Sequence, residues 1–390
     1  MEILQNEIKV ILYDSNWNVK DISEYVSNLS LSGDLDSLSR KAEITLLDSK
    51  FNGNNVRCSF IDVGYFIHVI LDDEVALKGI IVDFSNSQDN IKITVFDYMF
   101  YLNKSKITHN FSNTTAESGT KEILSEFDVA AGDIAPTGIV INRLIKDRSA
   151  SNAILELYHQ AEVQTGRKYF LDMDDNKVSV KEIGSLLTPT EIAPGFNILN
   201  DSIELKKSID GVINKIKIYD DKGNLIDTMC NKDLMYLGVL QDTIQKEKDK
   251  DYRIIASNSL KKNIIKYSLS LSCIGDMGYK SGYSAYVYIP QLMIDDLLII
   301  TSDSHEFDLR TNTFISKLEL NWANQIHFDK ADSDNEKFDS KIILPKKPKR
   351  QKVLKHRAVK HRIVKQKTLK PKTKKHKAKV KKRKLVYLPM

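Results

Sequence analysis

Apolar and polar residues alternate along most of the first hundred residues of the chain. Turn-forming residues such as Asn52-Gly53-Asn54-Asn55 separate the alternating segments, so neighbouring strands are expected to pair as antiparallel hairpins. The pattern predicts an all-β unit over residues 1–105. Its expected strands, each with one buried face, are Ile8 to Tyr13, Ala42 to Leu47, Tyr65 to Leu71, Ala76 to Phe84 and Ile91 to Phe96.

The period becomes helical between residues 106 and 195. Thr114 and Glu117 have the spacing of a capping box, and apolar residues follow at helical intervals as far as Phe127. Ser149 is suited to cap a second helix, which should end at Gly166 because glycine favours helix C-termini. The sequence therefore predicts a small two-helix insert.

A hairpin and a second β unit are expected after these helices. The hairpin turns at Asp174-Asp175-Asn176, and a segment with Pro and Gly from Thr188 to Asn197 is interpreted as a linker. The β pattern returns over residues 196–330 with one helix, which begins near Tyr252. Its expected strands are Val212 to Tyr219, Leu225 to Met229, Ile265 to Cys273, Ala285 to Ile289, Leu297 to Ser302 and Phe314 to Leu320. The fold class is mainly β with an α insert (α+β).

Charge is divided sharply along the chain. Residues 346–390 contain 21 Lys or Arg and no Asp or Glu, whereas residues 1–345 carry a net charge of −15. We expect residues 331–390 to form a linker and a basic tail that is disordered alone and is attracted to nucleic acid, an anionic membrane, another protein or the acidic body. A solubilising appendage is the alternative. The candidate interaction residues are Lys374, Lys375, Lys377, Lys379, Lys381, Lys382, Arg383 and Lys384.

Aromatic residues and long apolar runs limit the possible partners. The tail has one aromatic residue, Tyr387, so nucleic-acid binding through it is expected to be non-specific. The longest near-continuous apolar run, from Val63 to Leu71, contains His68 and is too short to span a bilayer. The N-terminus has no secretory signal pattern, so the chain is expected to stay in the cytoplasm where it is made, or to leave it by lysis.

Residues with catalytic potential are few. The run Asp303-Ser304-His305-Glu306 contains the residue types of a Ser-His-Asp triad, but a contiguous run is interpreted as a polar turn. The carboxylate pairs Asp172 with Asp174, Asp220 with Asp221 and Asp295 with Asp296 are also assigned to turns. No phosphate-binding loop, dinucleotide fingerprint or metal-ligand spacing occurs. The sequence therefore predicts no enzyme activity, no cofactor and no metal, with all three cysteines buried.

Several segments in order resemble the baseplate hub proteins of contractile phage tails and prophage-derived tailocins, including late control protein D and the T-even trimeric hub. The resemblance spans about residues 5–322 and rests on the order and spacing of its segments. They are Ile91 to Leu102, Thr114-Thr115-Ala116-Glu117, Gly132-Asp133-Ile134, Thr165 to Tyr169, Asn214 to Tyr219, Tyr236 to Gln241 and a turn at Ser302-Asp303-Ser304-His305.

The resemblance implies the fold, the assembly and the partners. Both β units are expected to be tail-tube-like barrels in a homotrimer that joins a sixfold tail tube to a threefold spike. The implied partners are the tail tube protein, the spike protein, other baseplate proteins and the tape measure protein, in a virion or tailocin particle. Two alternatives stay open: a tail-associated peptidoglycan hydrolase, and a DNA- or tape-measure-binding protein that acts through its basic tail.

Overall fold

Strands make up most of the structure, a computed structural model that describes residues 7–47, 60–87, 90–200, 202–246 and 251–326. The mainly-β fold class with a helical insert is confirmed. The helices are α1 Met99–Lys104, α2 Ala116–Glu126, α3 Ala150–Thr165 and α4 Tyr252–Lys262. The strands are β1 Ile8–Tyr13, β2 Val19–Asp21, β3 Val26–Asp34, β4 Lys41–Leu47, β5 Phe66–Leu71, β6 Glu74–Asn86, β7 Asn90–Asp97, β8 Lys106–Thr115, β9 Ala130–Ile134, β10 Val140–Ser149, β11 Tyr169–Asp174, β12 Lys177–Glu182, β13 Glu204–Ser208, β14 Lys215–Tyr219, β15 Leu225–Cys230, β16 Gln241–Gln245, β17 Lys266–Ile274, β18 Ser284–Ile289, β19 Ile294–Asp308 and β20 Thr313–Asn321.

One twelve-stranded sheet contains strands from both predicted β units. Its order is β13-β17-β20-β19-β3-β4-β7-β6-β5-β1-β2, and β18 pairs with β19. β3 and β19 are therefore the junction at which the N-terminal and C-terminal strands meet. The pairing joins residues that lie more than 260 positions apart, such as Ser30 and Glu306.

The N-terminal strands enclose a single apolar core. Alternate residues of β1, β3, β4, β5, β6 and β7 point inwards, including Val10, Leu31, Ile44, Ile67 and Ile93. These positions are fully or almost fully buried because the two-residue period of each strand places every second side chain on the same face. Strand β3 was missed from the sequence, since Val26–Asp34 alternates leucine with serine and ends in glycine and aspartate.

The C-terminal strands form a second unit with its own core. The segment interpreted as a linker is part of it: Ile192 N–H donates to Tyr286 O at 2.9 Å, and Tyr288 N–H donates to Ile192 O at 3.0 Å. The same segment reaches β17, where Ile274 N–H donates to Asn197 O. The interpretation of residues 188–197 as a linker is therefore wrong, because their backbone hydrogen bonds connect β18 to β17.

The two units repeat one strand order. The order β3-β4-β7-β6-β5-β1 of the first unit corresponds to β13-β17-β20-β19-β18 and the segment from Leu187 to Ile198 in the second. The units differ at the last position, where β1 pairs antiparallel with β5 and the segment forms parallel bridges with β18. Both copies carry a β-bulge at the same place, between Ile81 and Asp83 in β6 and between Ile300 and Ser302 in β19. A shared bulge fixes the residue-by-residue correspondence, because a bulge shifts the register by one residue.

The helical insert packs between strands β8 and β10 and the β11–β12 hairpin. Ser149 caps α3, accepting from Asn152 N–H, and Gly166 ends it in the left-handed conformation, as predicted. The cap of α2 is Thr115, which accepts from Ser118 N–H, so the predicted capping box at Thr114 is wrong. The carboxylate of Glu117 instead accepts from Thr137 and Gly138 in the loop before β10.

A small module, inserted between β13 and β17, completes the described chain. Strands β15, β14 and β16 form a three-stranded sheet, and α4 packs on one of its faces. Its core consists of Ile216, Ile218, Ala256 and Leu260. The predicted start of this helix near Tyr252 is confirmed, with Asp251 as the capping residue.

Candidate functional site

The junction between β3 and β19 is the most chemically unusual part of the described chain. β19 was predicted to end at Ser302, but it runs from Ile294 to Asp308, and the run Asp303-Ser304-His305-Glu306 lies within it. The prediction of a polar turn is wrong. A two-residue period places Asp303 and His305 on one face, towards the interior, and Ser304 and Glu306 on the other.

Asp303 and Arg40 form a buried ion pair at the junction. The side chain of Asp303 is fully buried, whereas that of Arg40, which lies just before β4, is 17% exposed. The guanidinium donates to both carboxylate oxygens, with the Nη1–Oδ1 distance at 3.1 Å. The pair crosses Gly33, where any added Cβ would collide with the guanidinium. Glycine at this point of β3 leaves the space that the guanidinium occupies, and a larger residue would displace it.

His305 joins Asp303 to the second core. Its Nε2 lies 3.1 Å from Asp303 Oδ2 and 2.9 Å from Tyr279 O, and its Nδ1 lies 2.9 Å from Ser316 Oγ. Two acceptors face Nε2, so this nitrogen carries a hydrogen. Every polar atom of the imidazole has a partner, although His305 is fully buried.

Burial and charge act in opposite directions on the carboxylates of the junction. Burial alone would raise the pKa of Asp303, but the charge of Arg40 and hydrogen bonds from His305 and Arg40 outweigh it and lower that pKa. Burial raises the pKa of Asp97 to about 7, against hydrogen bonds from the Arg40 and Met99 backbone. The junction therefore holds one firmly ionised carboxylate and one that takes up a proton more readily.

The connectivity of Ser316, His305 and Asp303 is that of a Ser-His-Asp triad, but its surroundings are those of a core. All three residues are at most 1% exposed, so a substrate carbonyl could not reach Ser316 Oγ in this conformation. The hydroxyl also accepts from Asp276 N–H at 3.0 Å. Ser304, the serine next to His305 in sequence, lies near Ser30 across the junction. The cluster serves to join the two β units.

The carboxylate pairs occupy different kinds of position. Only Asp220 and Asp221 lie at a turn, where Asp220 accepts from Asn224 N–H. Asp295 and Asp296 lie in β19. Asp172 and Asp174 lie in β11, and the ammonium of Lys181 lies 2.6 and 2.9 Å from them, so one cation bridges both carboxylates. The prediction of turns for these last two pairs is wrong.

The remaining predicted features divide between the described and undescribed parts of the chain. The tail residues from Lys374 to Lys384 and Cys58 lie outside the described residues. Cys273 is buried as predicted, but Cys230 is exposed. Among the described side chains, no three His, Cys, Asp or Glu are grouped so as to hold a metal ion. None of the described helices is long and apolar enough to cross a membrane.

The fold is that of a phage tail protein. It matches the 43 kDa tail protein of prophage MuSo2 from Shewanella oneidensis with a TM-score of 0.64, covering 82% of this chain and 99% of that one at 13% identity. The chain belongs to the YQBQ-like family, whose model matches residues 29–321.

Two relatives from Bacillus subtilis (strain 168) are similar in sequence. The uncharacterized protein YqbQ is 27% identical over 247 residues, 60% of this chain and 75% of that protein. The phage-like element PBSX protein XkdQ is 25% identical over 248 residues, 59% of this chain and 73% of that protein. The resemblance to prophage hub proteins inferred from ordered sequence segments is thereby confirmed.

Proposed function

We propose that this chain is the structural hub of a contractile phage tail or tailocin baseplate, a homotrimer that joins the sixfold tail tube to the threefold spike. The duplicated β unit carries this proposal. Three chains with two similar units each present six units to the tube, while the trimer as a whole keeps the symmetry of the spike. The relation to a phage-like element protein and the tail-protein fold support the same assignment.

A non-enzymatic role fits the chemistry of the junction. The charged and polar groups that would be needed for hydrolysis are buried between two β units and bonded to one another. Such a network holds two units in a fixed relation, which is what an adaptor between tube and spike requires. The partners proposed for it are the tail tube protein, the spike protein and other baseplate proteins, in the tail of a particle assembled in the bacterial cytoplasm.

The native mass of the full chain tests this function. Light scattering is expected to give about three times the chain mass of 44.5 kDa, alone or after addition of the spike protein of the same particle. A spike-dependent trimer would support the adaptor role directly, because the spike would then supply the threefold template. A monomer under both conditions would contradict the proposal.

The basic tail is proposed to attach an acidic partner within the particle, either a neighbouring baseplate protein or the tape measure protein. Its 21 cations contrast with the net charge of −15 of residues 1–345. A channel with a negative lining would not retain a passing polyanion, whereas a positive tail would hold an acidic protein. Non-specific contact with nucleic acid is the competing outcome.

A variant without the charges of the basic tail tests this attachment role. It carries Gln in place of Lys374, Lys375, Lys377, Lys379, Lys381, Lys382, Arg383 and Lys384. The thermal midpoint should stay unchanged, while incorporation of the chain into particles, measured by immunoblotting of purified particles, should fall about tenfold or more. The control replaces the seven lysines by Arg, which keeps the charge and should restore incorporation. Normal particles from the Gln variant would refute the attachment role, and salt-sensitive DNA retardation lost in that variant would favour nucleic acid instead.

A further inference from the structure

The strand edges that lack a neighbour in the described part of the chain include those of β13 and of the end of β6. β13 is the first strand of the twelve-stranded sheet and pairs only with β17. One edge of β6 pairs with β5, but only as far as Ile80. From Asp83 onwards this edge has no partner among the described strands, and β6 pairs only with β7 on its other edge. An unpaired edge presents a row of free N–H and C=O groups, which is a template for another strand.

The corresponding edge of the second unit is occupied. Gly64 N–H donates to Ile81 O in the first unit, and Gly282 N–H donates to Ile300 O in the second, both at 2.8 Å. Together with the shared bulge, this shows that residues 83–86 of β6 correspond to residues 302–305 of β19. The latter stretch of β19 is where β3 pairs, from Ser302 opposite Asp34 to His305 opposite Leu31.

β13 occupies the same position in the second unit as β3 occupies in the first. Leu31 lies opposite Ala42, which lies opposite Val95. Leu205 lies opposite Leu269 in the same way, and Leu269 lies opposite Leu320. Leu205 therefore corresponds to Leu31. The outer edge of β13 corresponds to the edge of β3 that pairs with β19.

We propose that β13 of one copy of this chain pairs antiparallel with the end of β6 of a second copy, which repeats the β3–β19 junction between subunits. This inference rests on the proposed function, because it names the contact through which the hub assembles. The correspondence sets the register: Leu205 opposite Asn86, Lys206 opposite Ser85, Lys207 opposite Phe84 and Ser208 opposite Asp83.

The side chains at the two edges complement one another. In the intrachain junction, Arg40 crosses Gly33 to reach Asp303. Gly33 corresponds to Lys207 of β13. Arg40 corresponds to Tyr267, and Asp303 corresponds to Phe84. The ammonium of Lys207 lies over the ring of Tyr267, 5.3 Å from its centroid. The ring of Phe84 from the second copy would approach the same ammonium group. Lys206, on the same face as Ser208, would lie diagonally across from the exposed carboxylate of Asp83.

The contact is head-to-tail, because it joins two different edges. Such a contact produces either a closed ring or an open filament. Each chain offers one β13 edge and one β6 edge, and a ring forms when the rotation between copies closes. In the proposed trimer, three intrachain and three interchain junctions would alternate around the ring. The outer edge of β13 and the end of β6 would then be paired in every copy, so these two edges would not support open growth into fibres.

Cross-linking tests the contact in the full chain. Ser85→Cys combined with Lys206→Cys, in a Cys230→Ser background, places two thiols on directly opposed residues. Opposed residues of an antiparallel pair have Cα atoms about 4.5–5.5 Å apart, within the range that a disulfide spans. Mild oxidation should convert most of the protein into covalent dimers and trimers on a non-reducing gel. Each single variant should stay monomeric on the same gel, and Ser85→Cys with Ser208→Cys, two residues out of register, should cross-link far less.

A second variant checks the backbone bonds without new thiols. Leu35 N–H donates across the intrachain junction to Thr301 O at 3.0 Å. Since donors alternate along a strand, Lys207 N–H should point to the free edge of β13. Lys207→Pro should weaken self-association about tenfold, whereas Lys207→Ala, which keeps the N–H, should preserve most of it. Circular dichroism should show both variants folded.

The outcomes separate the contact from the proposed function. A trimeric native mass without Ser85–Lys206 cross-links would overturn the contact and leave the hub assignment intact. A monomeric mass with and without the spike protein would overturn the hub assignment itself. Cross-linking in the paired variant but not in the register control would establish both the partner and the register.

Discussion

Asp303→Asn is expected to lower the free energy of unfolding by about 3–5 kcal/mol, the usual cost of removing one partner of a buried ion pair. Asn has nearly the same shape as Asp, so the loss would arise from the charge and not from a cavity. The guanidinium of Arg40 would be left at the β3–β19 junction without its counter-ion. Chemical denaturation of the two proteins, followed by far-ultraviolet circular dichroism, measures the difference.

Glu306→Gln is the matched control for this change. Glu306 lies on the same strand, pairs with Lys317 at 2.7 Å and is 43% exposed. An exposed pair contributes about 0–1 kcal/mol, so this variant should unfold almost like the native protein. Equal losses in the two variants would show that burial at the junction has no special energetic role.

The pH dependence supplies an independent check of the same pair. The pKa of Asp303 is lowered in the folded protein, so its stabilising contribution is present above its ordinary pKa near 4 and is lost as the pH falls below that value. Asp303→Asn has no such group. The stability difference between the two proteins should therefore be constant from about pH 5 upwards and should shrink progressively below about pH 4.

Gly282→Ala is expected to destabilise the protein by about 2–4 kcal/mol. Gly282 has φ = +90°, a conformation that costs an alanine about 1 kcal/mol or more. Its added Cβ would also lie 2.5–2.7 Å from the ring of Phe170, which comes from the β11–β12 hairpin. Overpacking of this kind adds about 1–3 kcal/mol. The thermal midpoint and the denaturant midpoint should both fall.

Gly64→Ala is the control that the internal duplication provides. Gly64 is the corresponding glycine of the first unit and has φ = +84°, but an added Cβ would meet no atom within 4 Å. Only the backbone strain of about 1 kcal/mol should appear. If Gly64→Ala lowered the free energy of unfolding as much as Gly282→Ala, the close contact between Phe170 and position 282 would not be the cause of the larger loss.

Local patterns were sufficient for most elements with a strong period. Ser149 and Gly166 bound α3 because capping depends only on residues within one helical turn. The segments near Ile8 and Ile91 were predicted correctly as β1 and β7, because the alternation of apolar and polar residues is also a local signal. Strands β8 and β10 were missed because their apolar residues are separated by two or more polar ones and each strand is bent by bulges.

The junction cluster could not be found in the same way. Asp303 and His305 were noted as polar residues that follow an apolar run, and such residues usually mark a turn. Arg40 lies 263 positions from Asp303 and carries no local signal that it will be buried. A weak signal for the duplication was present: Gly64-Tyr65 and Gly282-Tyr283 both precede an alternating strand. Their equivalence becomes evident only when the two hydrogen-bonding patterns are compared.

The sequence by itself determined the mainly-β class with a helical insert, the charge division and the family resemblance, because all three depend on periodicity, composition or the order of short segments. Tertiary structure alone decided that the two β units share one sheet, that a polar run forms a buried ionic junction and that an expected linker closes the second unit. Those outcomes depend on which distant strands pair. Strand pairing is set by the burial of whole faces and the satisfaction of backbone hydrogen bonds across the chain, which no local window of residues contains.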